Sequence, residues 1–389
     1  MRDSLPLVGH SIHEIAKVFY TTLFDENPVL IERLFNRANQ RTGEQQAALA
    51  NGLAGFAALV VHRPYIEINT VLARIAHKHA SVGVRPDQYQ LVHDHLMSAF
   101  SKVLGPAASE KLLAGWSELY WLVARALIAK EAELYRRFDI EPGKNWRKWL
   151  VVQRVQETRN VVSLLLEPAD TWPADPFQAG QYVSVAVPVG EWSFQIRQFS
   201  ISSAPGGDRL RITVERAGVP GRPAGQVSAH LHDDVTLGSV LLLSPPFGEV
   251  VLDDSTSPLL FMSSGVGVAP LIGMLRHLVN TGDQRQVTYV HLDSRTEDHP
   301  LRFELEELIA ALPHARRVLA YHDTTRAPAG SLPLPLDFES LALPRNARAY
   351  LCGPSSRMRQ WRASLVKAGL DPVAIRYEVF GPDLWRTYS

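Results

Sequence analysis

Only one of the 389 residues, Cys352, is a cysteine, so no disulfide can form within the chain and a scaffold stapled by disulfides is excluded. Charge of one sign does not prevail either: lysine plus arginine number 40 and aspartate plus glutamate 40. That balance removes the compositional basis for nucleic acid or an anionic membrane as a main partner. No run of about 18 uncharged apolar residues is present to span a bilayer. The opening MRDSLPLVGHSIHE has no basic stretch followed by an apolar one, the pattern a secretory leader needs, so a cytoplasmic location is the expectation. Low-complexity tracts and short repeats are also lacking. What remains is an ordinary globular composition, 46% hydrophobic and 21% charged, in a chain longer than a single core usually supports. Two or three domains acting on small molecules are expected.

Three patterns of hydrophobicity follow one another. From Ser11 to about Arg137, apolar residues recur at three and four, alanine and leucine are frequent, and the reading is all-α. Helices are predicted over Gly43 to Val60, over Pro64 to a last residue at His79, from near Pro86, and over Ser109 to Arg137; their uneven lengths and short turns suit a globin-like or bundle core. A linker with a Pro142-Gly143 turn spans Asp139 to Trp149. Beyond it, Leu150 to Leu166, Tyr182 to Val187, Leu210 to Glu215 and Ser239 to Leu243 are strands separated by Gly and Pro turns, the pattern of an antiparallel barrel or sandwich. From Leu259 the order becomes strand, glycine turn, helix, strand, which implies a parallel sheet with its ligand at the carboxyl ends of the strands. The expected domains are 1–140, 146–254 and 255–389.

Within the helical block, Leu72, Ile75, Ala76 and His79 lie at i, i+3, i+4 and i+7, which puts a histidine on an apolar face near a helix end. By itself this pattern fits a core histidine as readily as a metal ligand, and His77 points elsewhere. In the last block, Gly265, Gly267 and Pro270 form GxGxxP directly after an apolar strand and before a helix, the context in which glycines allow close approach of a nucleotide and the helix start faces an anion. Cys352 reads as a buried small hydrophobe, since no paired base for a thiol nucleophile is visible.

Matched spacing carries more weight than any single motif. FYTTLFDENP, LFNRANQRTGEQQAAL, IAHKHASVGVRPDQYQLVHDHL and LIAKEAELY are similar to the globin domain of flavohemoglobins. GQYVSVAVP, IRQFSISS and GQVSAHLH resemble the flavin domain of the ferredoxin-reductase superfamily, and GVGVAP, AYLCGP and YEVFGP follow in family order. The resemblance covers nearly the full chain. It implies a multidomain protein: an all-α globin, then an antiparallel β-barrel FAD domain, then an α/β parallel-sheet NAD domain.

The resemblance also implies roles. His79 becomes the proximal ligand of haem b, with Glu131 and Tyr89 behind it; Phe35 packs on the haem, and Tyr20, Gln45 and Leu49 line the oxygen-binding side. A carboxylate accepting the other ring N–H makes the imidazole electron-rich and favours oxygen activation over storage. FAD is taken by Tyr182, Arg197, Phe199, Ser200, Gln226, Val227 and Ser228, with Phe380 over the flavin ring; Phe199 stands where the family usually has tyrosine and lacks its hydroxyl. Gly265, Gly267, Pro270, Cys352 and Gly353 take the nicotinamide cofactor, and Lys78 and Glu378 fall at the flavin-to-haem junction. Asp323 leans toward NADH by accepting ribose hydroxyls, whereas Ser294 and Arg295 would favour the 2′-phosphate of NADPH. The implied activity is nitric oxide dioxygenation: NAD(P)H reduces FAD, FAD reduces haem iron, and the oxygenated haem turns NO and O2 into nitrate, in a monomer that also has room for lipid in its distal pocket. Alternatives that keep the cofactors are peroxide reduction, nitrosation or diaphorase activity; a haem gas sensor is the non-enzymatic one.

Overall fold

Ser109 opens the longest of the described helices by accepting a hydrogen bond from the Leu112 N–H at 3.3 Å, at the place where the sequence pattern begins a helix. The computed structural model describes residues 4–28, 65–170, 175–189, 193–218, 225–336, 341, 343–344 and 346–378. Among these, the first block holds helices α1 (Leu5–Glu26), α2 (Tyr65–Val82), α3 (Gln88–Leu104) and α4 (Glu110–Arg137). The helix predicted over Gly43 to Val60 lies outside the described residues.

The helices bury the stripes that their periodicity marks. On α4 the buried positions Ala124, Leu127, Glu131 and Tyr135 recur at three and four, and the first two pack with Val71, Leu72 and Ala76 of α2 and Tyr89 of α3. At the other end of α4, Trp116 and Leu119 join Phe19, Leu23 and Phe100 in a second cluster built on α1 and α3. By length and apolarity α4 also meets the measure of a membrane span, yet its apolar stripe is the one packed on these neighbouring helices.

The chain divides into two compact units, one built on the helices up to Trp146 and including Ala186–Arg197, the other running from Arg147 to Val185 and onward from Gln198. Strands β1 (Arg147–Thr158), β2 (Val161–Pro168), β3 (Tyr182–Val189), β4 (Ser193–Ser200), β5 (Leu210–Glu215) and β6 (Val240–Leu243) form a six-stranded sheet in the order β4-β3-β6-β1-β2-β5. β1 pairs antiparallel with β2 and β6, and β2 with β5. Its two edges meet through an antiparallel bridge between Ile201 and Ile212 and a 2.8 Å bond from Ser202 N–H to the Arg211 carbonyl, which closes the sheet as a barrel and removes its open edges. A short helix, α5 (Gln226–Asp233), is added between β5 and β6.

The last block is a parallel sheet of β7 (Leu259–Ser264), β8 (Val287–Asp293), β9 (Ala315–Tyr321), β10 (Leu332–Pro333), β11 (Arg348–Cys352) and β12 (Ile375–Glu378), ordered β10-β9-β8-β7-β11-β12. β7 is buried along its whole length, as a central parallel strand must be. Leu259 and Phe261 face α6 (Val268–Thr281) and α7 (Arg302–Ala311), while Leu260 and Met262 face Trp361 and Leu365 of α8 (Ser355–Lys367). Helices thus cover both faces. The strand order reverses between β7 and β11, and the carboxyl ends of those two strands are where such a fold takes its ligand.

Candidate functional site

The described fold brings together the histidine, tyrosine and glutamate that the sequence marks in the helical block. His79 lies on α2 in line with Leu72 and Ala76, which are buried, and Ile75, which is half-buried. α2 runs three residues past the predicted end because Gly83, at φ +80°, supplies the left-handed residue that closes it: Val84 N–H bonds the His79 carbonyl at 3.0 Å and Gly83 N–H the Ala80 carbonyl at 3.1 Å. The backbone of His79 is therefore held in a completed helix end.

Its side chain is held separately. Nδ1 lies 2.8 Å from Oε1 of Glu131 and 3.0 Å from the Tyr89 hydroxyl, and that hydroxyl donates to the same Oε1 at 2.5 Å. Glu131 is 2% exposed, so a charge there must be met by donors, and Nδ1–H and Tyr89 O–H are two of them. Burial first, and then the Glu131 carboxylate beside it, push the Tyr89 phenol well above its usual range and keep it a donor. A proton fixed on Nδ1 leaves Nε2 as a lone-pair donor. Among the described residues Nε2 makes no hydrogen bond, and the His79 side chain is 35% exposed although Ala76 and Ala80 beside it are buried. An imidazole with one nitrogen anchored to a buried carboxylate and the other presented outward is the arrangement of a metal-ligating histidine. Two further anchors hold the surroundings: Tyr120 donates to the Tyr89 carbonyl at 2.6 Å and Tyr135 to the Val84 carbonyl at 2.7 Å.

Tyr20 is buried on α1, stacked on Phe24 at 5.4 Å between ring centres and edge-on to Phe19 at 4.9 Å. Lys78 is half-buried next to His79. Phe35, Gln45 and Leu49 lie outside the described residues, as does Phe380.

At the switch point of the parallel sheet, Gly265 takes φ +56° and opens a single 3-10 turn, Gly265–Gly267, that leads into α6. A side chain at Gly267 would place its first carbon 2.2 Å from the Cys352 carbonyl oxygen, so only glycine lets this turn lie against the end of β11. Pro270 sits in the first turn of α6. Cys352 and Gly353 follow on the β11 side, and Cys352 pairs in register with Glu378 of β12. Burial, with the Glu378 carboxylate adding to it, pushes the Cys352 thiol well above its ordinary range, which suits a packing residue and not a nucleophile.

Arg197, Phe199 and Ser200 lie on β4. Burial lowers Arg197 to about 10, so it stays cationic at neutral pH. Among the described residues the buried Ser200 hydroxyl has no hydrogen-bond partner, which suits a group that takes one from outside the chain. Tyr182 is buried on β3 against Gly248. Gln226, Val227 and Ser228 form the first turn of α5, whose leading N–H groups have no acceptor within the helix. The Ser228 hydroxyl is committed locally, accepting from Ala217 N–H at 2.9 Å and donating to the Gly225 carbonyl at 3.0 Å, so backbone donors are what this turn offers an anion.

Three clusters were not legible as sites in the sequence. Arg211 of β5 makes a two-pronged pair with Glu304 of α7 at 2.7 and 2.9 Å, and Arg276 of α6 joins the same carboxylate at 2.6 Å, tying the barrel to the parallel sheet's helices. His291 and His299 stack at 3.6 Å between ring centres in the interior. Asn145 of the linker reaches the end of α2. Each joins residues far apart in the chain or within a turn, where no periodicity announces them.

A globin whose ligand-type histidine is backed by a buried carboxylate, joined to a barrel and a switch-point nucleotide fold, defines a haem-type oxidoreductase with its own reductase. Comparison with known proteins agrees: the globin profile matches residues 17–127 and that of the oxidoreductase NAD-binding domain residues 261–362. The chain is 36% identical to the flavohemoprotein of Rhizobium meliloti, over 99% of this chain and 97% of that one. It is similar to the crystal structure of a Malassezia yamatoensis flavohemoglobin with bound FAD and heme, with a TM-score of 0.87 and 32% identity over 98% and 97% of the two chains. The FAD/NAD-binding domain of a nitric oxide dioxygenase from Vibrio cholerae matches 61% of this chain and 100% of its own, with a TM-score of 0.58 and 32% identity. The chain belongs to the flavohemoprotein family.

Proposed function

We propose that this flavohemoprotein is an NAD(P)H-dependent nitric oxide dioxygenase of the cytoplasm that acts as a monomer, with haem b held by His79 and FAD held by the barrel. The observation that carries the reading is the His79–Glu131–Tyr89 arrangement: a carboxylate that is 2% exposed, bonded to Nδ1 at 2.8 Å, makes Nε2 a strong electron donor. The residues present fit the groups. Nε2 of His79 is the donor that haem iron takes, the buried unpartnered hydroxyl of Ser200 suits a flavin ring edge, and the glycine turn at the switch point admits a dinucleotide.

Bound haem supplies the iron at which NO and O2 combine to nitrate, and bound FAD splits the hydride of NAD(P)H into single electrons. The chain's own residues do the rest. Glu131 keeps the proton on Nδ1 of His79 and sets the ring's orientation, and Tyr89 fills the carboxylate's second demand for a donor. Tyr20 offers a hydroxyl on the opposite side of the globin pocket. In the barrel, Tyr182, Arg197, Phe199 and Ser200 bind the flavin, and the N–H groups of Gln226, Val227 and Ser228 receive its diphosphate. Gly265, Gly267, Pro270, Cys352 and Gly353 seat the nicotinamide cofactor.

The test is nitrate formation by purified protein given NADH, air and NO. Consumption of NO with one nitrate formed per NO supports the reading. Flavin turnover without NO consumption points instead to a diaphorase or peroxide-reducing relative.

A further inference from the structure

The segment before β1 reads in the sequence as a linker with a Pro142-Gly143 turn, and in the fold it is docked on the helical block. Glu141 to Lys144 forms a tight turn, with the Lys144 N–H bonding the Glu141 carbonyl at 3.0 Å and Gly143 at φ +84°. The next residue, Asn145, is 0% exposed. Its Nδ2 donates to the Ala80 carbonyl at 3.2 Å and to the Ser81 carbonyl at 3.1 Å, two acceptors that fix which end of the amide faces them. Both carbonyls belong to the last turn of α2, the turn that begins at His79. The chain has left no slack at this contact: a first side-chain carbon at Gly83 would meet Asn145 Oδ1 at 2.6 Å and the Gly143 Cα at 3.2 Å.

Two features mark the contact as more than packing. The Gly83 helix closure accounts for the His79 and Ala80 carbonyls through backbone donors, and Asn145 adds side-chain donors to Ala80 and Ser81, so the three successive carbonyls from the ligand histidine onward are all engaged. Asn145 Oδ1, in turn, is buried with no partner among the described residues. A position that only needed filling would be served better by an apolar side chain than by a half-satisfied amide; what the position uses is the pair of N–H donors.

We infer that Asn145 is a positioning residue for His79: by capping the end of α2 from the linker, it fixes the backbone from which the imidazole is presented, as Glu131 and Tyr89 fix the ring. This rests on the reading of His79 as the haem ligand. It also makes residues 141–145 part of the haem-binding unit and not a spacer, two residues before the first strand of the reductase.

The test uses the full-length haem-loaded protein and three variants. Asn145→Ala removes the donors; Asn145→Asp keeps the shape and replaces the donor nitrogen with oxygen; Asn145→Ser shortens the side chain and leaves one hydroxyl donor in place of two N–H donors. The readouts are the iron–histidine stretching band of the ferrous protein by resonance Raman and the rate of haem loss to excess apomyoglobin. The expected result is a shifted or broadened iron–histidine band in all three and haem loss accelerated about tenfold, the size of a lost helix cap, while NADH reduction of the flavin stays at the wild-type rate. Should Asn145→Ala and Asn145→Asp fail to fold, Asn145→Ser alone decides: a displaced band supports the role and a wild-type band overturns it. Bands and haem-loss rates equal to wild type in the Asn145 variants would likewise overturn it. If the wild-type protein shows no iron–histidine band at all, or keeps it after His79→Ala, the haem-ligand reading has failed, and with it this inference.

Discussion

His79 and Glu131 stand 52 residues apart in the chain and 2.8 Å apart in the fold, one on the helix that Gly83 closes and the other on the core stripe of the longest described helix. The pair fixes which nitrogen of the ring carries the proton, and so which one keeps its lone pair.

Replacing the carboxylate by an amide isolates the effect of charge. Glu131→Gln still offers an oxygen to Nδ1–H but makes the imidazole less electron-donating. NO turnover is expected to fall about 10–100-fold, the usual cost of losing a partner behind a metal ligand, with the iron–histidine stretch of the ferrous protein moving to lower frequency. Unchanged turnover with an unmoved band would count against the carboxylate's role.

The glycine turn after β7 has no tolerance. Gly267→Ala drives a carbon into the Cys352 carbonyl, a backbone atom that cannot rotate away. The expected loss is on the order of 1–3 kcal/mol of stability in the parallel-sheet block, read as a lower unfolding temperature, together with slower anaerobic flavin reduction by NADH.

Acid should weaken the Arg211–Glu304–Arg276 cluster in a defined window. Burial pushes the Glu304 carboxyl up, but the hydrogen bonds and charges of Arg211 and Arg276 outweigh it and hold its pKa below the ordinary value. A carboxylate depressed in the folded state contributes stability that is present above its unfolded pKa and lost as pH falls through the folded one. Glu304→Gln is expected to cost about 2 kcal/mol at pH 7, a gap to wild type that closes on acidification below the usual carboxylate range. Urea unfolding of both proteins at several pH values measures it.

A second acid-sensitive element begins to lose its contribution at a higher pH. His299 is buried against His291, with its Nδ1 2.9 Å from the Tyr321 hydroxyl; burial first, then the charges of His291, Arg302 and Arg317, hold its pKa well below the histidine norm. Its neutral form stabilises the fold fully above the unfolded value of about 6.5, and the contribution declines as pH falls below that toward the folded pKa. His299→Phe should flatten the stability profile between about pH 7 and 5, a range in which Glu304→Gln leaves it unchanged.

Much of this was legible beforehand, for identifiable reasons. Strand Leu210–Glu215 and helix Glu110–Arg137 fell where β-branched runs and apolar residues recurring at three and four indicated. The stripe Leu72, Ile75, Ala76, His79 is on the core side of its helix, and Glu131 and Tyr89 meet the histidine at its end. The end of that helix was read three residues short, because a basic residue followed by small ones resembles a stop while the true stop is the left-handed Gly83. Asn145 sits beside a Pro-Gly turn, where asparagine ordinarily serves the turn itself, so its reach to the Ala80 and Ser81 carbonyls left no trace in the pattern. The Arg211–Glu304 pair joins residues 93 positions apart, and charged residues on a strand and a helix read as solvated until the two are brought together.

The most direct measurement is a spectral titration of the full-length haem-loaded protein: reduce it with NADH without oxygen, admit air, then add NO and assay nitrate. A haem band that becomes ferrous with NADH alone, changes in air, returns to the ferric spectrum with NO and yields nitrate in step is the predicted result. A haem that NADH cannot reduce, or NO that disappears without nitrate, would contradict the account.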